Sequence, residues 1–350
     1  MNLTRSSLCG LLLSFTVAAN AQSLPPIFAD TPKQLVDAVS VAAFPVGTFL
    51  ENLVVGGDGT LFVKSLEEGV VYAVTPGGKT REFARSEGRI AGITFSRTGK
   101  MLVTGWARDD VPTVFRVSRQ GVAETLASLN DAVFLNGIAR LRGDRYLIAD
   151  SYKGVIWEFD ERTRRHRVWS GDGALARSDV QSTLPGVNGL KLFKGALYAT
   201  NTERQQFLRI PVRADGSAGD VQVLCPEISG DDFAVGTDGA FYVTTHVYNS
   251  VVRVSRSCDV TILAEGEEGV TGSTALAFGR GKAGRQDLFV IRRPVAAASR
   301  RRAARTGYAP RGRSNGRGVG APLARLQALA AGFRTSCGRT RPSITKKVAL

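Results

Sequence analysis

The chain is predicted to be all-β, a six-bladed β-propeller, on three observations. Six similar segments recur along it, most of the steps between them lie in the forties, and each segment carries alternating apolar residues on either side of a Gly- or Asp-bearing turn. The segments are LVVGGDGTLFVK (53–64), ITFSRTGKMLVT (93–104), IARLRGDRYLIAD (138–150), LKLFKGALYAT (190–200), FAVGTDGAFYVTT (233–245) and LAFGRGKAGRQDLFV (276–290). Their central residues Phe62, Leu102, Leu147, Tyr198, Tyr242 and Phe289 stand 40, 45, 51, 44 and 47 residues apart. Strand alternation with Gly-rich turns at that period is the signature of a propeller blade. Six copies predict six blades around a central channel.

The elements follow in chain order. Residues 1–21 have the form of a secretory signal: Arg5 gives a positive start, Leu8 to Ala19 an apolar stretch, and Ala19-Asn20-Ala21 a small-x-small cleavage site. The stretch is too short to span a bilayer, and no other segment offers a membrane span. Cys9 lies at the start of this stretch, a poor place for a lipid-bearing cysteine. The product is therefore expected to be secreted or periplasmic. Val36 to Thr48 is expected to add a strand or brace near the last blade, with the propeller covering residues 36–290.

Each inner strand pair is followed by an outer one. GVVYAVTPGGKTREFA (69–84), VFRVSRQGVAETLA (114–127), GVIWEFDERTRRHRVWS (154–170) and SVVRVSRSCDVTILA (250–264) show alternation, a turn and a returning strand. The charged run Glu161 to Arg167, with His166 in it, belongs to such an outer turn, where charge discourages edge pairing. Export would place Cys225, Cys258 and Cys337 in an oxidising compartment. Cys225 closes an outer strand of the fourth unit and Cys258 lies in the outer turn of the fifth. A disulfide between them and two free thiols are both open.

Alternation stops after Val290, where the sixth blade needs its outer hairpin. Residues 291–350 hold 13 Arg and 2 Lys with no Asp or Glu, so the remainder carries 31 basic and 31 acidic residues. The whole excess of +15 sits in this tail. The neutral body lacks the basic, aromatic-studded surface that nucleic-acid recognition needs, so a small-molecule ligand and a monomer are expected. Rich in Arg, Ala, Gly, Ser and Pro, the tail is expected to be disordered, with a short helix over Pro322 to Phe333. The same composition arises when GC-rich DNA is translated out of frame after about residue 290, which would leave the last blade incomplete. A basic arm for anionic lipid or polysaccharide is the alternative. Translating the other frames from codon 290 decides between them.

Blade geometry locates the chemistry. In an antiparallel blade, residues entering the first strand and leaving the second lie at one end, so both line the same rim of the channel. Two residues before the first large apolar residue of each inner strand stand Glu51, Ala91, Asn136, Asn188, Asp231 and Thr274. Second-strand exits add Asp150, Ser151, Asn201, Thr202, Thr245 and His246, and Trp106 lies at another. Clustered carboxylate and amide oxygens suit a hard divalent cation. Taken singly, Asn-Gly at 136–137 and 188–189 could simply turn the chain into a strand, and Asp231 could cap a loop.

The segments FLENLVV (49–55), FLNGIARL (134–141), ADSYKGVIWEFD (149–160), VNGLKLF (187–193), YATNT (198–202), GDDFAVGTDG (230–239) and GSTALAFGR (272–280) resemble the superfamily of gluconolactonase, luciferin-regenerating enzyme and senescence-marker propellers, in particular its secreted branch, over about residues 40–290. The resemblance implies a divalent cation in the channel: calcium, or else magnesium, zinc or manganese. Its ligands would be Glu51, Asn188 and Asp231, with Asn136 as a further contact to metal or substrate. Two features depart from the pattern: Glu51 precedes Asn52-Leu53 where many members have Gly-Pro, and the aspartate is doubled as Asp231-Asp232.

A lactonase built on this site would use the cation as Lewis acid and Asp231 or Asp232 as general base. Asn136, Asn201, His246 and Trp106 would contact substrate. A non-catalytic ligand- or partner-binding propeller would use the same rim. A cyclase or isomerase would require Phe and Trp there, for which Trp106 is the candidate. No G-x-S-x-G context, P-loop or dinucleotide fingerprint occurs.

Overall fold

The computed structural model describes residues 29–45, 47–281, 284, 286–292 and 321–327. The proposed signal segment, Cys9, Cys337 and all of the tail except its start at 291–292 and residues 321–327 lie outside them. Strands are numbered in chain order. The first, β1 (Val39–Phe44), precedes the repeats. Blade 1 is β2 (Leu50–Val55), β3 (Leu61–Ser65), β4 (Val70–Val74) and β5 (Thr80–Arg85); blade 2 is β6 (Ile90–Phe95), β7 (Met101–Trp106), β8 (Pro112–Val117) and β9 (Ala123–Ser128). Blade 3 is β10 (Leu135–Arg142), β11 (Arg145–Asp150), β12 (Val155–Asp160) and β13 (His166–Ser170); blade 4 is β14 (Val187–Phe193), β15 (Ala196–Asn201), β16 (Gln206–Pro211) and β17 (Gln222–Pro226). Blade 5 is β18 (Phe233–Val235), β19 (Phe241–Thr245), β20 (Ser250–Val254) and β21 (Val260–Ala264). The remaining strands are β22 (Leu276–Phe278), β23 (Asp287–Ile291) and β24 (Ala321–Gln327).

Five antiparallel sheets thus take four strands each in sequence order, while a sixth sheet runs β22-β23-β24-β1. The N-terminal brace falls as expected: β1 forms the outer edge of that last sheet, paired to β24 with Val39 opposite Arg325. Just before it, Lys33 bridges Ile262 of β21. The tail differs from expectation. Where a short helix was predicted, residues 321–327 form a strand between β23 and β1, and its backbone satisfies the ladder groups of both neighbours. The last sheet thus draws its strands from both ends of the chain.

The innermost strands pack in a ring, β2 on β6, β6 on β10, β10 on β14, β14 on β18, β18 on β22, and β22 back on β2. The core lies between blades. Phe44, Leu53, Val63 and Val74 meet Phe289 and Ile291 across the closing seam, and Phe207, Phe233, Phe241 and Ile262 fill the space between blades 4 and 5. Each large side chain buried in this way contributes about 1.5–3 kcal/mol. The inner hairpins turn on glycines at positive φ, Gly59 at 89° and Gly239 at 82°, a conformation that carries no Cβ penalty for glycine. Asp58 and Asp238 clamp those turns by accepting hydrogen bonds from the backbone N–H of Thr60 and Ala240. Cys225 and Cys258 are joined in a disulfide, which ties β17 to the outer turn of the next blade.

Candidate functional site

At the rim end of four inner strands the ladder register breaks. The irregularities fall between Leu50 and Asn52, Ile90 and Ile93, Leu135 and Ile138, and Val187 and Leu190. They bracket Glu51, Ala91, Asn136 and Asn188, the residues singled out by their common offset. A bulge re-aims a side chain, and here it does so at equivalent places in consecutive blades. The glycines that follow serve close approach rather than a turn: a Cβ on Gly137 would lie 2.2 Å from the Asn188 carbonyl oxygen.

Hydroxyls lock this geometry between blades. Thr104 of β7 accepts from the Gly92 N–H at 2.9 Å and donates to the Asn136 carbonyl at 2.7 Å. Thr200 of β15 accepts from Gly189 and donates to the Asp231 carbonyl, and Thr244 of β19 accepts from Asp232 and donates to the Thr274 carbonyl. Thr274 in turn donates to the Leu50 carbonyl at 3.1 Å, linking the entry to β22 with blade 1.

Three of the four proposed site residues meet directly. Asn136 Nδ2 donates to Asn188 Oδ1 at 2.7 Å, and Asn188 Nδ2 donates to Asp231 Oδ1 at 2.8 Å and to Thr202 Oγ1 at 3.1 Å. All three are buried. Glu51, half-buried on β2, acts on Asp231 through its charge. Burial, reinforced by the neighbouring charges of Glu51 and Asp232, raises the Asp231 carboxyl well above the usual range against the pull of Asn188 and Lys64. The two adjacent aspartates have different partners. Asp231 faces Asn188, whereas Asp232 is engaged by Lys191 Nζ at 2.5 Å.

Sequence reasoning missed Lys64. Its side chain is fully buried, with Nζ donating to the Ile90 carbonyl of blade 2 at 2.9 Å. Burial pushes its ammonium down to about 7, and Glu51 and Asp231, in that order, pull it back up. Counting two residues beyond each central strand residue would have found it, because Lys64 stands where Thr104, Thr200 and Thr244 stand in their blades.

The remaining rim residues divide. The Asn201 side chain donates to the carbonyls of Ala174 and Ala176 and accepts from the Arg204 N–H, so its amide braces a loop. Asp150 accepts from the N–H groups of Val133, Phe134 and Lys153 and from the Trp157 indole, which fixes the entry to β10. His246 is half-buried and opens a 3-10 turn after β19. Outside the rim set, His166 Nε2 lies 2.9 Å from Asp131 Oδ1. Trp106 stacks 4.7 Å from Phe134, which meets Tyr152 edge-on at 5.2 Å. Arg89 lies over the Trp106 ring and Arg177 over that of Tyr152, each at 4.5 Å. This aromatic row on the rim was legible in sequence only through Trp106.

The oxygen set fits a hard cation. Among the described residues no three His, Cys, Asp or Glu side chains form a metal cluster, and amide oxygens join carboxylates in calcium sites. Turning an Asn amide over exchanges its donor for an acceptor, so the Asn136–Asn188–Asp231 chain can present oxygens to an ion.

No protein-family model matches the chain, and no curated protein matches it. Solved structures do resemble it. A luciferin-regenerating enzyme superposes with a TM-score of 0.60 at 12% identity, covering 85% of this chain and 96% of its own. A gluconolactonase from Xanthomonas campestris gives 0.59 at 13%, covering 85% and 96%. Regucalcin from Agrobacterium tumefaciens, a calcium-binding protein, gives 0.58 at 15%, covering 75% and 87%. At such identities the likeness is one of fold, and the fold is that of the gluconolactonase, regucalcin and luciferin-regenerating propellers.

Proposed function

We propose that the protein is an exported hydrolase that opens a lactone or related ester at the Glu51–Asn136–Asn188–Asp231 site. The observation that carries this reading is the buried hydrogen-bond chain from Asn136 through Asn188 to Asp231 at one end of the channel. Glu51, Asn188 and Asp231 would hold a divalent cation, calcium first, which when bound polarises the ester carbonyl. Asp231 takes a proton from water as hydroxide adds to the carbonyl carbon. The ring C–O bond then breaks, and the leaving alkoxide recovers that proton, giving the hydroxy acid. Asn136 orients the carbonyl through its amide. The Lys191 ion pair keeps Asp232 out of the proton transfer. Export is supported by the Cys225–Cys258 disulfide, a bond that persists in oxidising compartments.

The aromatic row favours a second reading, in which the rim receives a larger planar or apolar substrate and the site acts as a cyclase or isomerase. Trp106, Phe134 and Tyr152 supply the surface such a substrate needs. One panel separates the readings: aliphatic and aryl-substituted lactones, with calcium and with chelator, on the wild type and Glu51→Gln. Cation-dependent opening that Glu51→Gln abolishes is expected. Turnover indifferent to both chelator and Glu51→Gln would remove the metal-hydrolase reading.

A further inference from the structure

Among the described residues Lys64 is the only buried lysine or arginine, and the repeat shows how it departs from its surroundings. At the equivalent place in blades 2, 4 and 5 a threonine both accepts from its own inner strand and donates to the next blade. An ammonium can only donate. Lys64 therefore makes the donor half of the link, to the Ile90 carbonyl, and brings a charge that the threonines lack. It reaches blade 2 beside Ala91, the ring position whose side chain has nothing polar to offer. On the β2–β3 ladder Lys64 stands opposite Asn52, the residue next to Glu51, and the strongest opposite charges it meets are those of Glu51 and then Asp231, the same carboxylates that would bind a divalent ion.

We propose that Lys64 is a tethered cation of the channel site, so that any divalent ion must compete with its ammonium for Glu51 and Asp231. The inference rests on the reading of those two residues as the ion's ligands. The physical argument is charge balance in a dry site. Buried Asp231 beside half-buried Glu51 is costly without a counter-ion, and a covalently held ammonium answers the pair without the loss of translational freedom that a free ion incurs. A divalent ion added beside that ammonium meets a like charge where screening is weak. Calcium should accordingly bind the wild type weakly, and the site should stay ordered without it.

The test is titration calorimetry with calcium chloride on the chelator-stripped full chain at about pH 6, where an ammonium lowered to about 7 is still mostly charged. Lys64→Met removes the charge and keeps most of the volume; Lys64→Thr restores the residue of the sister blades. Both are expected to bind calcium at least about tenfold more tightly than the wild type, a difference of about 1.4 kcal/mol. Equal or weaker binding by the folded variants overturns the proposal, and if one fails to fold by circular dichroism the other decides. Micromolar calcium affinity in the wild type overturns it with no variant at all. Glu51→Gln in the Lys64→Met background separates the two layers. Loss of binding there supports the ligand assignment, and binding that survives overturns that assignment and the proposal with it. No turnover is read, so the outcome is independent of the hydrolase reading.

Discussion

Asn188 stands at the centre of the site's hydrogen bonding, because it accepts from Asn136 and donates to both Asp231 and Thr202. Removing it leaves a buried carboxyl without its amide donor. Asn188→Ala is expected to cost about 1–3 kcal/mol of stability, as measured by urea unfolding, and on the order of 100-fold in kcat/KM for any lactone turned over. Asn136→Ala should lose part of the same energy. A double-mutant cycle is expected to give a coupling of about 0.5–3 kcal/mol, and additive losses would mean that the two amides do not work as one unit. The offset that picked out Glu51, Asn136, Asn188 and Asp231 was visible in the sequence because each repeat counts from its own apolar residue. Lys64 was not visible in that count. It lies on the second strand, and only its length carries its charge to the first strand of the next blade.

Inner and outer hairpins were legible as elements because alternation and turn residues are local signals. The bulges were not, since a break in register depends on the partner strand. Nor were the braces at Asn201 and Asp150, which tie the strand exits to Ala174 and Ala176 and to Val133 and Phe134. The two openings left for Cys225 and Cys258 resolve into one bond between neighbouring blades, closing a sequence separation of 33 residues. Cys258→Ser is expected to lower stability by about 2–4 kcal/mol. Reductant should bring the wild type down to the variant's melting temperature while leaving the variant unchanged. A variant that melts with the oxidised wild type would show that the bond adds nothing to the seam between blades 4 and 5.

For the whole molecule, the repeat count predicts the propeller, but the last sheet obeys no local pattern, because its third and fourth strands come from opposite ends of the chain. The sequence of β24, APLARLQ, contains no β-branched residue and carries Pro322. Neither favours a strand flanked on both sides, which is why its place could not be read in advance. Charge is likewise divided: the neutral body and the tail's 13 Arg and 2 Lys are separate electrostatic objects. The full chain is expected to be retained on a heparin column at low salt and to elute as salt rises. Passage of the full chain at low salt would show that the tail's charge is not open to a polyanion.

The bond from Thr274 to the Leu50 carbonyl joins residues 224 apart, and β1 waits for a partner near the other end of the chain. Blades 1 to 5 can form one after another as the polypeptide emerges, since each is contiguous. The disc cannot close until its final segment exists. Closure is therefore a late event of high contact order, and such contacts form slowly. Until then the unpaired flanks of blades 1 and 5 stay open to other chains, and Glu51, made early, has no Asp231 to face.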